Sequence, residues 1–437
     1  MNYYPTKRVV SFFLGLIIFG IVFLSLPVAH THNSSKFSFI TNIFMSVSAV
    51  CVTGLSVVNT GEYYSTFGQI VILLLVQLGG IGYMFVSTVV TMLLGNVTLK
   101  DRRIMQDIFD ISSFSSLKKL ISKAVFFVLS IELFGTLVLT FIFLRDFPFL
   151  RAVYFGIFYS VMAFCNAGFS LFDDSLVKFA DNSILLYMVS FLIVFGRLGF
   201  FVIADIYDTY RERRLHFSTH TKIVLYWSAI ITFFAFILFL FSNVFKGQGV
   251  FYSINNAFFQ AVSPRTAGFY SVPINLFNEF TCIVLLFLMS IGSSSGGTAG
   301  GIKFTTLALT FVFIKSILKS NDEFILFKRR IPVELVRRAL AIFIIFFVSI
   351  IFFSVFLILL ETYINPLAIV FEIVSAFATV GLSLGITADL SFAGKVLIII
   401  AMILGRVGIL TIMIFMTNPV ARKKKNIRYP ESRILVG

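Results

Sequence analysis

Charge is the scarcest property of this chain. Asp, Glu, Lys and Arg make up 13% of its 437 residues, against about 25% in an ordinary soluble domain. A soluble globular protein of this length is excluded. Cysteine is scarce as well. Cys51, Cys165 and Cys282 lie in apolar or loop-entry segments with no metal-ligand spacing, so core packing is expected rather than a disulfide framework or metal centre. There is no Walker sequence, no G-x-S-x-G and no paired-carboxylate constellation. The chain is therefore expected neither to be an enzyme nor to bind a nucleotide itself. His30, His32, His216 and His220 are scattered and exposed by position, and no role is assigned to them. The first apolar run lacks an A-x-A cleavage site and reads as a retained span, not a removed signal peptide.

Apolar residues supply what charge does not. They form 58% of the chain, with 57 Phe and a mean hydropathy of +0.99. Apolar runs of about 18 residues or more recur, the signature of membrane spans. The net charge of +15 does not indicate nucleic acid, because the basic residues sit between apolar runs rather than on one amphipathic face. The runs fall into a repeated triplet of long, short, long. The first is Val9–Val28, Thr41–Val50 and Gln69–Leu94, and the second is Ala124–Leu144, Ala152–Phe164 and Ile184–Ala204. The third is Ile223–Phe245, Tyr252–Val262 and an interrupted Phe280–Leu318, and the fourth is Ala339–Leu360, Leu367–Phe377 and Val396–Met416. The short members cannot cross a ~30 Å core and read as re-entrant helices. Non-helical backbone at that depth is tolerated where it lines a water-filled cavity. The predicted fold is all-α and integral to the membrane. It has four tandem M1–P-loop–M2 repeats, with eight transmembrane helices and four re-entrant pore helices around one pseudo-four-fold pore. The repeat boundaries are 1–100, 101–210, 211–320 and 321–437, the last including a basic cytoplasmic tail.

Each short segment ends in a glycine tip: Val52-Thr53-Gly54, Asn166-Ala167-Gly168, Thr266-Ala267-Gly268 and Thr379-Val380-Gly381. The glycines recur at intervals of 114, 100 and 113 residues, each five residues after a small side chain (Ala49, Ala163, Ser263, Ala376). Glycine lets a backbone turn its carbonyls onto an axis that a Cβ would obstruct. Rings of such carbonyls replace the water shell of a potassium ion. Acidic rings, the usual device of non-selective cation pores, are absent from all four tips. The twelve tip residues are therefore candidate potassium ligands through their backbone. The C-terminal ends of the short helix dipoles would add negative potential toward the pore. A second glycine landmark follows in each outgoing segment, at Gly80, Gly196, Gly296 and Gly405.

Of the 35 Lys and Arg, 25 fall on one side of the predicted spans and six on the other. Cytoplasmic loops carry the excess, so both termini are expected in the cytoplasm and the glycine tips enter from outside. The tail Arg422-Lys423-Lys424-Lys425 suits anionic lipid or a partner contact.

Two further features sit at membrane depth. The run Gly292-Ser293-Ser294-Ser295-Gly296-Gly297-Thr298-Ala299-Gly300-Gly301, closed by Lys303, cannot hold an ordinary helix, since each Gly costs about 1 kcal/mol relative to Ala. It reads either as close helix packing through small residues or as a flexible gate loop below the tips. Arg406, a cation inside a span, is by default functional. Either it is an electrostatic barrier in the cavity or it bridges to Glu132 or Glu372. Arg197 holds the corresponding place in the second repeat, open between structure and function. Arg265 is expected to pin its loop to a carboxylate or to carbonyls.

The tips V-T-G-L, N-A-G-F, T-A-G-F and T-V-G-L, the third loop Ser263-Pro-Arg-Thr-Ala-Gly-Phe269 and the run Gly292–Lys303 resemble the Trk/Ktr/HKT superfamily of potassium transporters. The resemblance covers Val9 to Met416 and, with eight spans, is nearer to the bacterial Ktr membrane subunit than to Trk. It implies K+ uptake across a bacterial plasma membrane and an intramembrane gate loop with the matching arginine beside it. It also implies a homodimer and a separate cytosolic ring of nucleotide-binding regulatory subunits. Sodium-preferring plant HKT proteins often carry Ser at the first tip, so Gly54 implies potassium preference. Whether Na+ is coupled or only regulatory stays open, as does mixed potassium/sodium permeation. A sodium- or proton-coupled solute carrier is the alternative class. It would need an inverted repeat, whereas these repeats share one orientation.

Overall fold

Helices of two kinds alternate along the chain. The computed structural model describes residues 5–31, 38–94, 114–211, 213, 216–320 and 323–408. Fifteen helices appear among them: α1 (Pro5–Leu24), α2 (Phe39–Val50), α3 (Thr60–Tyr63), α4 (Thr66–Leu94), α5 (Phe114–Phe143), α6 (Phe149–Cys165), α7 (Ser183–Leu198) and α8 (Phe200–Arg211). The remainder are α9 (Thr219–Leu240), α10 (Val250–Val262), α11 (Glu279–Ser290), α12 (Phe304–Leu318), α13 (Val333–Leu360), α14 (Pro366–Ala378) and α15 (Phe392–Val407). Between α12 and α13 the chain makes a short antiparallel hairpin, with Ile325 opposite Arg330.

The long helices α9 and α13 are apolar all round but bury only a stripe, six residues each. Phe233, Phe234, Ile351 and Leu359 face outward, more than half exposed. A helix apolar on every face and half uncovered suits hydrocarbon rather than water. The short helices invert this. Nine of the 12 residues of α2 and ten of the 13 of α14 are buried, polar ones included. Serines stitch them to the preceding long helices: Ser46 Oγ donates to the Ile17 carbonyl at 2.8 Å and Ser160 Oγ to the Glu132 carbonyl at 2.7 Å. Side-chain caps start the outgoing helices, with Asn182, Asn278 and Ser391 accepting from Leu185, Thr281 and Gly394 amides.

The outgoing segments are not the straight spans expected. Ile184–Ala204 breaks at Gly199, where α7 and α8 diverge by 91°. Gln69–Leu94 kinks at Gly82, and α15 stops at Val407, the rest of Val396–Met416 lying outside the described residues. The cause is shared. Gly82, Gly199 and Gly408 take φ of 77°, 79° and 88°, where a right-handed helix cannot continue. Among the described residues, three stretches are long and apolar enough to cross a membrane: Ala124–Phe143, Thr219–Leu240 and Val333–Leu360. The bent α7–α8 pair would make a fourth.

The landmark glycines need a change of register. Gly79 packs on the Val50 carbonyl, Gly196 on that of Phe164 and Gly405 on that of Phe377, each leaving no room for a Cβ. Gly80 instead faces Cys165 and Gly296 faces Phe200 and Phe201, because the third outgoing segment is broken.

Glu361 (1% exposed) accepts from the Ser391 amide and the Tyr363 hydroxyl, both at 2.8 Å, joining the end of α13 to the start of α15. Glu361→Ala leaves that amide unpaired. It is expected to lower stability by about 1–3 kcal/mol, read as a lower thermal unfolding midpoint in detergent.

Candidate functional site

The four glycine tips meet. A Cβ built on Gly54 would lie 3.1 Å from Gly168 Cα, one on Gly168 3.0 Å from Gly268 Cα, one on Gly268 3.2 Å from Gly381 Cα and one on Gly381 3.1 Å from Gly54 Cα. The glycines close a ring in chain order, and each Cβ would also run into a carbonyl oxygen of the next tip, from Ala167, Ala267, Val380 and Thr53.

Backbone handedness alternates identically in all four tips. Val52, Asn166, Thr266 and Thr379 take φ of 55°, 61°, 83° and 50°, and the glycines two residues on take 86°, 68°, 74° and 91°. Left-handed backbone at every second residue turns successive carbonyls to the same side. For Val and Thr this is strained by about 1–3 kcal/mol per residue, so it is imposed by the surrounding fold. The hydroxyls of Thr53, Thr266 and Thr379 are buried and have no partner among the described residues.

Short helices point their C-termini at the ring: α2 ends at Val50, α6 at Cys165, α10 at Val262 and α14 at Ala378. Their partial negative charge favours a cation there. On the side away from the short helices the ring opens into a cavity of about 380 Å³ lined by the glycines with Ser56, Ser170, Asp173, Tyr270 and Ser383. Among the described residues no His, Cys, Asp and Glu cluster could hold a metal, and all three cysteines are free and buried.

The run Gly292–Gly301 lies directly beneath the ring, as a non-helical excursion between α11 and α12. Its ends are clipped by Ile302, whose carbonyl accepts from the Gly292 amide at 2.9 Å and whose amide donates to the Ser290 carbonyl at 3.1 Å. Lys303 Nζ closes the loop from within, donating to Ser293 Oγ at 3.0 Å and the Ala299 carbonyl at 2.6 Å. Gly300 packs on Thr379 of the fourth tip without space for a Cβ. Thr298 is the hub. Its amide and hydroxyl donate to the Gly196 carbonyl (3.2 Å each), and its hydroxyl also meets the Phe164 carbonyl (3.2 Å) and Asn166 Nδ2 (3.1 Å).

Arg406 comes to the same hub, but not through an acid. Its guanidinium donates to the carbonyls of Thr298, of Gly79 at 2.6 Å and of Gly80 at 3.4 Å. The expected carboxylates are engaged elsewhere, Glu132 with Gln77 Nε2 at 2.9 and 3.1 Å and Glu372 with Thr387 Oγ1 at 2.5 Å. Helix ends expose unpaired carbonyls at the Gly79–Gly82 kink, and these serve a guanidinium without a second buried charge. Arg197 Nη2 donates to the Val262 carbonyl at 2.8 Å and its own carbonyl accepts from the Ser294 amide at 3.2 Å. Arg265 pins its loop to α9 through the Ser228 carbonyl (3.3 Å) and Thr232 Oγ1 (2.6 Å), with its guanidinium 5.1 Å from the Phe304 ring centroid. One carbonyl and a threonine hydroxyl, not a carboxylate, take it up.

The histidines are not uniformly exposed. His216 is, but His220 is half-buried with Nε2 3.3 Å from Ser294 Oγ of the loop, and His30 is half-buried. His32 lies outside the described residues. Nothing local in the sequence marked His220, because α8 and α9 bring it to the loop only through the bend at Gly199.

The family model described as a cation transport protein, TrkH, matches residues 12–424. The chain belongs to the TrkH cation transport protein family. It is 34% identical to the Potassium/sodium uptake protein NtpJ of Enterococcus hirae, over 99% of this chain and 97% of that protein. It is also 34% identical to the Ktr system potassium uptake protein B of Bacillus subtilis, over 99% and 96%. The crystal structure of the potassium transporter TrkH from Vibrio parahaemolyticus superposes with a TM-score of 0.74 at 19% identity, covering 95% of this chain and 85% of that one. Membership makes this a multi-pass membrane protein that transports cations and explains the missing enzyme motifs.

Thr298→Val removes the hydroxyl's hydrogen bonds, the one accepted from Asn166 Nδ2 and the one proton shared between the Gly196 and Phe164 carbonyls, at nearly constant volume. The loop is expected to be held less firmly, so that a membrane-permeant thiol reagent labels an introduced Ala299→Cys about tenfold or more faster than in the Thr298 background.

Proposed function

We propose that this chain takes up potassium across the plasma membrane through the ring of glycine tips, with the loop Gly292–Gly301 as its gate. The observation that carries this reading is the closed ring of Gly54, Gly168, Gly268 and Gly381 with one alternating backbone pattern in every tip. The carbonyls of Val52–Gly54, Asn166–Gly168, Thr266–Gly268 and Thr379–Gly381 are the ion ligands in this reading, with the Thr266 and Thr379 hydroxyls as added oxygens at the inner end. Four M1–P-loop–M2 repeats, bounded as 1–100, 101–210, 211–320 and 321–437, would each contribute one tip. The four buried short helices and the recurrent Gly79, Gly196 and Gly405 contacts support that division.

In the gate, Arg406 acts as a latch as well as a barrier. Held on the carbonyls of Gly79 and Gly80, it fixes Thr298 under the ring and puts a positive charge where a potassium ion would leave the filter. Lys303 keeps the loop compact. Opening requires both to release. The lysine- and arginine-rich side is taken as cytoplasmic, with both termini there, and as the face for a separate nucleotide-binding regulatory ring and anionic lipid. The Bacillus subtilis relative, named as one protein of a Ktr system, supports a partner; a homodimer rests on the family resemblance alone. The Enterococcus hirae relative's name includes sodium, which supports Na+ as a coupling or activating ion and keeps mixed permeation as the second reading.

The test is uptake in a bacterial strain lacking potassium transport. Wild type is expected to restore growth at low potassium, and Gly54→Ser to abolish it or make uptake sodium-permeable. No potassium uptake by wild type, even with a regulatory partner supplied, would overturn the reading in favour of a coupled solute carrier. Arg406→Gln is expected to raise basal uptake without the partner severalfold, read as 86Rb+ influx. An unchanged or lower influx would remove the barrier role.

A further inference from the structure

Behind the ring, a serine braces the first, third and fourth tips, and the second and fourth carry a further brace. In the first and third, a serine reaches the carbonyl just after the glycine: Ser48 Oγ donates to Leu55 O at 2.7 Å, and Ser263 Oγ, at the C-terminal end of α10, donates to Phe269 O; in the fourth, Ser375 Oγ accepts from the Gly381 amide at 3.1 Å. In the second and fourth, which face each other across the ring, the brace comes from the residue nine before the glycine and reaches the hydroxyl two after it. Tyr159 OH lies 2.8 Å from Ser170 Oγ and accepts from the Leu171 amide at 3.1 Å. Its counterpart is Glu372. Glu372 Oε1 accepts from Thr387 Oγ1 at 2.5 Å, and that hydroxyl lies 2.9 Å from Ser383 Oγ, which accepts from the Gly385 amide at 3.0 Å. In the first and third tips the corresponding residues are the buried apolar Met45 and Phe259.

Glu372 is fully buried, and its Oε2 has no partner among the described residues. An acid in such a place is expensive, and packing alone would be met by an apolar residue, as in the first and third copies. Among the described residues its hydrogen bonding runs to the hydroxyls of Thr387 and Ser383 at the outer lip of the fourth tip, both of which line the outer cavity. We propose that Glu372 is a positioning residue that sets the fourth tip's width and so discriminates potassium from sodium, with Thr387 transmitting its hold. Ion discrimination depends on cavity size and on the field of the carbonyls, and a lip braced from both diagonal tips resists collapse onto a smaller ion. The inference rests on the ring being the ion filter.

The test measures KM for potassium, maximal rate and inhibition by sodium in cells supplied with any regulatory partner. Glu372→Leu and Thr387→Val are each expected to raise the potassium KM about tenfold and to lower potassium/sodium discrimination. The double variant should be no worse than the more severe single, since both cut one strut. Glu372→Gln, whose amide oxygen still accepts from Thr387, should restore KM to within about twofold of wild type. An unchanged KM and discrimination in both single variants would overturn the proposal. So would additive losses in the double, or a fall in maximal rate at constant KM, which is the mark of a merely structural residue. Gly54→Ser run alongside separates the two levels. If it too leaves KM and discrimination unchanged, the filter reading fails; if it alone changes them, only the Glu372 strut fails.

Discussion

The structure depends on the close approach of four backbones at one point. Gly54, Gly168, Gly268 and Gly381 come so near to each other's Cα and carbonyl atoms that no side chain fits between them. Every tip must then carry a glycine, and every tip must be delivered by a helix that stops short. The left-handed Val52, Thr266 and Thr379 are held in place by that convergence, because neither residue type adopts the conformation unaided. Buried short helices on all sides supply the rigidity.

The same convergence accounts for the layer beneath. Where the short helices end, their carbonyls are unpaired, and the outgoing helices bring glycines against them at Gly79, Gly196 and Gly405. Three residues later each outgoing helix turns at a left-handed glycine. The freed carbonyls at these turns are what Arg406 binds, and Thr298 ties the glycine-rich loop to Phe164, Asn166 and Gly196. Ring and loop are thus one hydrogen-bonded unit, so displacement of the loop is felt at the tips. Arg406 is suited to join them because a guanidinium spreads several donors over separate carbonyls.

Outside this polar centre the protein is the reverse of a soluble one. Polar residues such as Asn42, Gln69 and Asn256 are inside, and Phe and Leu face out. Serine-to-carbonyl stitches and small-residue contacts replace the hydrophobic effect as the source of helix association, since lipid is as apolar as the side chains it meets.

Much of this is legible in residues alone. The alternation of long and short apolar runs, the period of the glycine tips and the helix-breaking composition of Gly292–Gly301 are local properties, and each follows from the length a helix needs to cross hydrocarbon and from what glycine does to a helix. The sequence by itself determined which residues form the ring, that the third outgoing segment is interrupted and that the chain is a membrane protein. Tertiary structure alone decided who bonds to whom. The carboxylate bridge open to Arg406 as the alternative to a barrier gave way to the Gly79 and Gly80 carbonyls, because a kink that frees them is created by φ at Gly82, which spacing does not encode. The contact of His220 with Ser294, the register that makes Gly79 rather than Gly80 the packing glycine, and the strut from Glu372 to Thr387 all join positions distant in the chain. Such pairings depend on bend angles and helix rotation, which are set by the sum of the packing and not by any one segment.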